Sequence, residues 1–178
     1  MSRRKTSLTS LLALTSTALA ATALLAAQPA GAADSTALTA LTGQGALGQA
    51  EEFVRLANTV RPARCRLRVN PRLARASILH SQDMARRDFF SHTAPRPAPH
   101  GVTHNDRAAN AGYRNGGPGE VITAAGPGAR AAFDSLMGSA PHKAIITDCV
   151  YKVAGAGYTS GNAKSKFQHY WTVLFGRI

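Results

Sequence analysis

The sequence predicts an α+β domain in which helices alternate with a few short strands. Apolar residues at helical spacing recur through the first half of the chain. The end of the chain changes period, because residues 150–158 and 170–175 are rich in β-branched, aromatic and small residues. Gly161-Asn162 lies between these runs and supplies turn residues, so the last two strands are expected to form an antiparallel hairpin.

The first residues have the pattern of an export signal. Residues 3–5 are Arg-Arg-Lys, an apolar stretch covers residues 8–27, and Ala30-Gly31-Ala32 supplies the small residues of a cleavage site. This pattern predicts a Sec-type secretory signal peptide over residues 1–32, with a membrane anchor as the alternative. The protein is therefore expected outside the cell.

After the signal, one domain is expected. Residues 33–48 are Ala, Thr, Gly, Ser and Gln with little charge, which predicts a flexible leader. The domain then covers residues 49–178, and no transmembrane segment is expected in it. We expect a monomer.

Two helices are predicted at the start of the domain. The first has an apolar stripe formed by Ala50, Phe53, Val54, Ala57 and Val60. It ends at Arg61-Pro62. The second begins with Asn70 as N-cap and Pro71 as first helical residue, and it closes near residues 88–90, where a loop begins.

Shorter elements are predicted in the middle of the chain. Thr103 caps a short helix that Gly112 ends, and the glycine-rich turn at residues 115–119 leads into a strand at residues 120–122. Pro127 begins another helix, and Pro141 opens a further helical turn.

The two cysteines, Cys65 and Cys149, allow a single pairing. In an exported chain an even count favours a disulfide, and two free thiols are the alternative. A bridge across 84 residues would stabilise the fold by roughly 4 kcal/mol in chain-entropy models.

The chain is strongly basic, with a formal net charge of +12. Six arginines cluster within residues 61–75, namely Arg61, Arg64, Arg66, Arg68, Arg72 and Arg75. Such a field favours extracellular anionic partners, either acidic wall polymers or phospholipid headgroups, and a solvated surface is the alternative. Nucleic acid is not expected, because no aromatic residues are interleaved with the arginines.

Three distant residues are candidates for chemistry because each lies at the edge of a predicted element: His92, Glu120 and His142. Two imidazoles and one carboxylate can hold Zn²⁺ with one position left for water, which would support hydrolysis. Without metal, Glu120 would bridge the imidazoles in a structural polar cluster. The three residues are thus the candidate catalytic or metal-binding set, and a divalent cation is the candidate cofactor.

The remaining histidines and the neighbouring serines have ordinary explanations. His80 lies on the apolar face of the second helix and is expected to be half-buried and hydrogen-bonded. His100 and His104 are expected in solvent-exposed loops, and Ser91 and Ser139 as capping residues.

Several short motifs follow one another over residues 51–176. They are Leu73-Ala74-Arg75-Ala76 with His80, Asp83-Met84-Ala85, Phe90-Ser91-His92-Thr93, Asp106-Arg107, Ala111-Gly112-Tyr113, Gly119-Glu120, residues 139–146, Gly155-Ala156-Gly157-Tyr158, and Tyr170-Trp171 with Phe175-Gly176. In this order and spacing the chain resembles the CAP superfamily of cysteine-rich secretory, antigen 5 and pathogenesis-related proteins. It is most similar to the bacterial SCP-like extracellular proteins, and its cysteines lie where an actinobacterial subgroup tends to have a linked pair.

The resemblance implies a three-layer α-β-α sandwich with a small, largely antiparallel central sheet and a surface cleft. Family members commonly line that cleft with two His and two acidic residues, and some bind a divalent cation there. His92, Glu120 and His142 match three of the four positions. Gly138 and Ser139 occupy the place of the second acid.

The function expected from these observations is a secreted, non-catalytic binding module of the cell envelope or extracellular space. Its partner would be an anionic wall polymer, a lipid headgroup or an extracellular protein. One alternative is a metal-assisted hydrolase acting as a peptidase or nuclease, and another is a lipid-binding protein, which the resemblance to some eukaryotic members implies.

Overall fold

The computed structural model describes residues 32–178, with side chains from residue 45 onward except Ala46. The predicted signal peptide, residues 1–32, lies outside the described residues apart from Ala32 itself. Over the part described, no helix is both long and apolar enough to span a bilayer.

The described chain contains five α-helices and four strands. The helices are α1 (Ala32–Thr59), α2 (Pro71–Arg87), α3 (His104–Asn110), α4 (Ala129–Met137) and α5 (Ala140–Thr147). The strands are β1 (Arg68–Val69), β2 (Gly119–Thr123), β3 (Val153–Ser160) and β4 (His169–Gly176). A single 3-10 turn, Ala63–Cys65, precedes β1.

The four strands form one mixed sheet in the order β1-β3-β4-β2. β3 and β4 pair antiparallel from Val153 opposite Gly176 to Ser160 opposite His169, which confirms the predicted hairpin. β2 is antiparallel to β4, and the two-residue β1 is parallel to β3. The predicted α+β class is therefore confirmed, with one short parallel pair in a largely antiparallel sheet.

Helices cover both faces of the sheet. The side chains of β4 point alternately to the two faces and pack in two different cores. Trp171, Val173 and Phe175 pack in the core that α1 and α4 complete. Leu174 instead packs with residues of α2, and the hydroxyls of Thr172 and of Ser81 in α2 share a 3.0 Å hydrogen bond. The α-β-α sandwich implied by the family resemblance is thus confirmed.

The α2 face of the sheet is packed by direct contact between backbones. A Cβ added at Gly155 would lie 2.0 Å from the backbone nitrogen of Ala74, so glycine is required there. Gly157 makes the same close approach to Ile78, one turn further along α2. Ser77 and Ser81 of α2 donate hydrogen bonds of 2.7 and 3.0 Å to the carbonyls of the two glycines. Serine and glycine together therefore fix α2 against β3.

Helix termini follow the capping chemistry predicted from sequence. Asn70 accepts hydrogen bonds from the backbone of residues 72 and 73, and Pro71 is the first residue of α2. Thr103 and Asp106 form a reciprocal capping box at the start of α3. Gly112, with φ of 87°, follows the end of α3, in a conformation that favours glycine.

The N-terminal part of α1 covers residues 33–48, for which the sequence predicts a flexible leader. The helix begins at Ala32, and alanine and leucine, which are frequent in this segment, are strong helix formers. Among the described side chains of α1, Ala50 is the first that is fully buried. Gly45, Leu47 and Gly48 are exposed, so packing begins at residues 49–50.

The predicted disulfide is present between Cys65 and Cys149, with their Cα atoms 5.0 Å apart. Arg61 lies beside it and is only 5% exposed. Its guanidinium donates to the carbonyls of Ile146, Asp148 (3.0 Å) and Tyr151 (2.8 Å), and its Nε donates to that of Cys65 (2.7 Å). Arg61 therefore ties the end of α5 to the end of α1, and its inclusion in an exposed basic cluster was wrong.

Candidate functional site

The candidate site is built around Glu120, the second residue of the edge strand β2. Glu120 pairs with Leu174 of β4, so it lies on the α2 face of the sheet. Its side chain is 1% exposed. A carboxylate buried to this degree requires charged or hydrogen-bonding partners, and α3 and the loop after α2 supply them.

Arg107 of α3 is the first partner of Glu120. Its Nη2 donates a 2.6 Å hydrogen bond to Glu120 Oε2, and both side chains are 1% exposed. The same nitrogen donates to the carbonyl of His92 (2.9 Å), while Nη1 donates to that of Val102 (3.0 Å). These extra bonds offset the desolvation of the guanidinium. Arg107 thus holds both the carboxylate and the loop that carries His92.

His92 is the second partner of Glu120. Its Nδ1 lies 2.8 Å from Glu120 Oε1. Because an ionised carboxylate only accepts hydrogen bonds, Nδ1 carries the proton and Nε2 of the neutral ring keeps a free lone pair. The His92 side chain is 49% exposed, so the ring that carries this lone pair is accessible from solvent.

The two partners keep Glu120 ionised. Burial by itself raises the pKa of this carboxyl, but the hydrogen bond from His92 and the charge of Arg107 more than offset burial and hold the pKa below its ordinary value. Both oxygens of Glu120 are occupied, one by each partner. The side chain of Glu120 is also only 1% exposed, so a substrate has little access to its remaining lone pairs.

His80 supports the site from α2. Its Nε2 lies 3.0 Å from the carbonyl of Ser91, next to His92, and the ring packs 5.9 Å from that of Phe89. His80 is fully buried, so the expectation of a half-buried side chain was wrong. Burial, and then the charge of Arg107, lower the pKa of His80 to about 4. It is therefore neutral near pH 7 and fixes the start of the His92 loop.

His142 lies in the first turn of α5 and is partly exposed. Burial, and after it electrostatic repulsion from His92 when both rings are protonated, lower the pKa of His142. Among the described residues, however, no group of three or more His, Cys, Asp or Glu side chains is arranged to hold a metal ion. The structure brings Glu120 into contact with His92, whereas among the described residues His142 forms no hydrogen bond or ion pair with either of them.

The other histidines and the serines named in the sequence analysis lie in separate parts of the fold. His100 is partly buried against α3 and accepts a hydrogen bond from Asn110 on its carbonyl, whereas His104 is the first residue of α3. Ser91 Oγ accepts from the backbone of Thr93 (3.1 Å). Ser139 is the N-cap residue of α5, although its side chain makes no capping hydrogen bond.

The comparisons with known proteins agree with this architecture. The sequence profile of the CAP family, the cysteine-rich secretory protein family, matches residues 54–175. The chain belongs to the CAP family. This confirms the resemblance drawn from the sequence motifs. No curated protein sequence gives a significant match.

Two solved structures share the CAP fold of this chain. One is an extracellular protein with an SCP domain from Bacillus anthracis, with a TM-score of 0.60 and 24% identity over 74% of this chain. This chain spans 41% of that protein's length. The other is an outer surface protein from Borrelia burgdorferi, with a TM-score of 0.55, 15% identity, and coverage of 71% of this chain and 87% of that one. At these identities the likeness concerns the fold alone.

Sequence reasoning missed Arg107, the buried cation at the candidate site of this CAP domain. Asp106-Arg107 occurs among the family motifs, but nothing local marks Arg107 as buried, because it lies in a seven-residue helix among other polar residues. The signal that was available lay in a different part of the chain. A buried strand that carries a glutamate, such as β2, needs a cationic partner elsewhere in the chain.

Proposed function

We propose that this CAP domain is a non-catalytic extracellular binding module that presents the imidazoles of His92 and His142 in its cleft. The observation that carries the proposal is the double engagement of Glu120, one oxygen by Arg107 and the other by His92. A hydrolase needs a general base or an open metal-bound water. The carboxylate of Glu120 instead accepts one hydrogen bond from Arg107 and one from His92, which fixes both residues in the cleft.

The same arrangement suits weak cation binding. Glu120 orients His92 through Nδ1, which is how carboxylates commonly orient metal-binding histidines from outside the ligand sphere. A divalent cation such as Zn²⁺ would be held by His92 Nε2 and by His142, and water or an external ligand would complete its coordination. Two protein ligands are fewer than the three of catalytic zinc sites, so modest affinity is expected. In this arrangement Glu120 is an outer partner and not a metal ligand.

The expected partner is anionic and extracellular. Five arginines of the cluster in residues 61–75 are exposed: Arg64, Arg66, Arg68, Arg72 and Arg75. None of the five forms a salt bridge with an acid among the described residues. Unpaired cations at this density favour an acidic wall polymer or an anionic headgroup. The extracellular and surface proteins that share the fold support secretion as the location.

A zinc titration tests the cleft. Zn²⁺ should raise the melting midpoint of the wild-type protein by mass action, and the double substitution His92→Ala/His142→Ala should abolish the rise. His169→Ala is the matched control. His169 lies on β4 five residues before the strand partner of Glu120, about 17 Å away along the strand. An undiminished rise in the double variant would show that the cleft is not the zinc site.

An activity assay separates binding from hydrolysis. Peptide and DNA substrates are incubated with the wild-type protein and with the double variant, in zinc and in chelator. We expect no turnover in either. Turnover that requires both zinc and the two histidines would overturn the proposal in favour of a metal-assisted hydrolase.

Retention on purified cell wall tests the partner. We expect the protein to be retained at low ionic strength and released as salt rises, because exposed charges are screened over roughly 8 Å at physiological salt. The cleft variants should be retained like the wild type. Retention that persists in high salt would point to an apolar contact, as in lipid binding, and against the basic surface.

A further inference from the structure

The turn that leads from α3 into β2 contains a dipeptide with a reactive backbone. The chain has six asparagines, and Asn115 is the one that a glycine follows. A side chain on the following residue hinders attack by that residue's backbone nitrogen on the asparagine amide, and glycine has no side chain. Asn115-Gly116 is therefore the place in the chain where such an attack meets the least steric resistance.

The structure leaves both reacting groups of this dipeptide uncovered. Asn115 and Gly116 are exposed, and a Cβ built on Gly116 would have no other atom within 4 Å. The backbone N–H of Gly116 donates to no other backbone group of the described chain. The nitrogen that attacks thus has no backbone hydrogen bond to break first, and the turn has open space in which to rearrange.

The side-chain amide of Asn115 is also weakly held. Its Nδ2 donates to the carbonyl of Arg177 at 3.4 Å, longer than the roughly 2.7–3.2 Å of ordinary N–H···O bonds. Asn162 is exposed as well but differs on both counts. Ala163 follows it, and its Oδ1 accepts a 2.8 Å hydrogen bond from the backbone of Lys164. Asn162 is therefore an internal control for Asn115.

We propose that Asn115 is a site of spontaneous deamidation, at which the folded protein converts an amide into aspartate and isoaspartate. The backbone nitrogen of Gly116 loses its proton to base and attacks Cγ of Asn115. The new C–N bond forms as the bond from Cγ to Nδ2 breaks, and Nδ2 takes up a proton and leaves as ammonia. Water then opens the cyclic imide, at the side-chain carbonyl to give aspartate or at the main-chain carbonyl to give isoaspartate. No electron is transferred, and water is the co-reactant.

The modification changes charge in the turn and leaves β2 in place. Each conversion replaces a neutral amide by a carboxylate. The guanidinium of Arg177 lies beside the turn, because a Cβ built on Gly117 would lie 3.9 Å from Arg177 Cζ. Gly119, the first residue of β2, is instead packed tightly, since a Cβ there would lie 2.6 Å from the hydroxyl oxygen of Tyr151. The extra backbone atom of isoaspartate should therefore be absorbed within the turn.

The test is an incubation of the folded protein in mildly alkaline buffer made with water enriched in heavy oxygen. Peptide mapping by mass spectrometry then follows, at each asparagine, the conversion of amide to acid and the heavy oxygen incorporated. Asn115 should convert at least about tenfold faster than Asn162, which corresponds to a barrier lower by about 1.4 kcal/mol. Equal rates at the two asparagines, or an acid at Asn115 without heavy oxygen, would overturn the proposal.

Two matched variants make the test specific. Asn115→Gln keeps an amide but lengthens the side chain by a methylene, so a larger ring would have to form. This variant should therefore lose the acidic form that elutes early from a cation-exchange column. Asn162→Gln makes the same exchange at the control position and should accumulate the acidic form at the rate of the wild type. An acidic form that accumulates equally in both variants would assign it to another residue and overturn the site.

Discussion

The two faces of the central sheet are packed by different means. On the α1 and α4 face, aromatic rings meet edge to face: Phe53 lies 6.0 Å from Phe133 and 6.5 Å from Phe175. On the α2 face, glycines admit the helix backbone, and a buried arginine, glutamate and histidine form the polar cluster beneath the cleft. The apolar face therefore supplies stability, whereas the α2 face combines stability with the electrostatics of the candidate site.

The largest expected effect comes from filling the contact between α2 and β3. Gly155→Val should lower the free energy of unfolding by about 5 kcal/mol or prevent folding, because a Cβ there meets the backbone of Ala74. Ala156→Gly, on the opposite face, should lower it by only about 1–2 kcal/mol. Urea unfolding of both variants measures the difference. Equal losses would show that the two faces are packed alike.

The second largest loss of stability is expected from breaking the buried ion pair between Arg107 and Glu120. Arg107→Met leaves Glu120 buried without its cation and should lower the free energy of unfolding by about 3–5 kcal/mol. Arg130→Met is the control, because it breaks the exposed pair with Asp134 and should change stability by at most about 1 kcal/mol. Urea unfolding at neutral pH compares them. A loss below 1 kcal/mol for Arg107→Met would contradict the importance given to this pair.

The pH dependence of stability should originate on the α2 face. The pKa of His80 falls from 6.5 to about 4 on folding, so the unfolded chain binds an extra proton between these values. Stability from His80 is thus complete above pH 6.5 and is lost as pH falls toward 4, by about 3 kcal/mol in all. The lowered pKa of Glu120 adds a further loss, as pH falls below 4.5 and through its folded value.

Two variants locate this pH dependence. His80→Gln should flatten the dependence between pH 6.5 and 4 in urea unfolding. Phe133→Leu, on the apolar face, should lower the free energy of unfolding by the same amount at every pH. Its pH dependence should therefore keep the slope of the wild type. A slope that survives His80→Gln would assign the effect to another group.

The smallest expected effect concerns the exposed rim of the cleft. His92→Ala removes one hydrogen bond to Glu120 but leaves Arg107 in place, so the free energy of unfolding should fall by about 1 kcal/mol. The same substitution should have a larger effect on zinc binding, which the melting titration measures as a smaller rise in the melting midpoint. A loss as large as that of Arg107→Met would mean that the cleft is held mainly from its rim.

Features with a local signal could be predicted from the sequence. Asn70 and Pro71 place the start of α2 because capping depends on neighbouring residues alone, and the turn at Gly161-Asn162 places the hairpin in the same way. The cysteine pairing followed from the count of two. His92 and Glu120 were expected together from their positions at the edges of elements and from the family resemblance, and they are in contact.

Features that depend on distant partners could not be predicted. Nothing near Arg61 or Arg107 in the sequence distinguishes them from exposed arginines, because their burial is decided by carbonyls and a carboxylate far along the chain. The strand β1 has two residues, too few for a period. The contacts of Glu120 also required coordinates, since only they show that one of its oxygens faces His92 and the other Arg107.

The Cys65–Cys149 bridge encloses His92, Arg107, Glu120 and His142 within one covalent ring. A single cut by a protease anywhere between the two cysteines would open this ring without releasing a fragment, and both pieces would stay joined through sulfur. One nick in the long loop after α2 would therefore leave His92, Arg107, Glu120 and His142 tethered to each other.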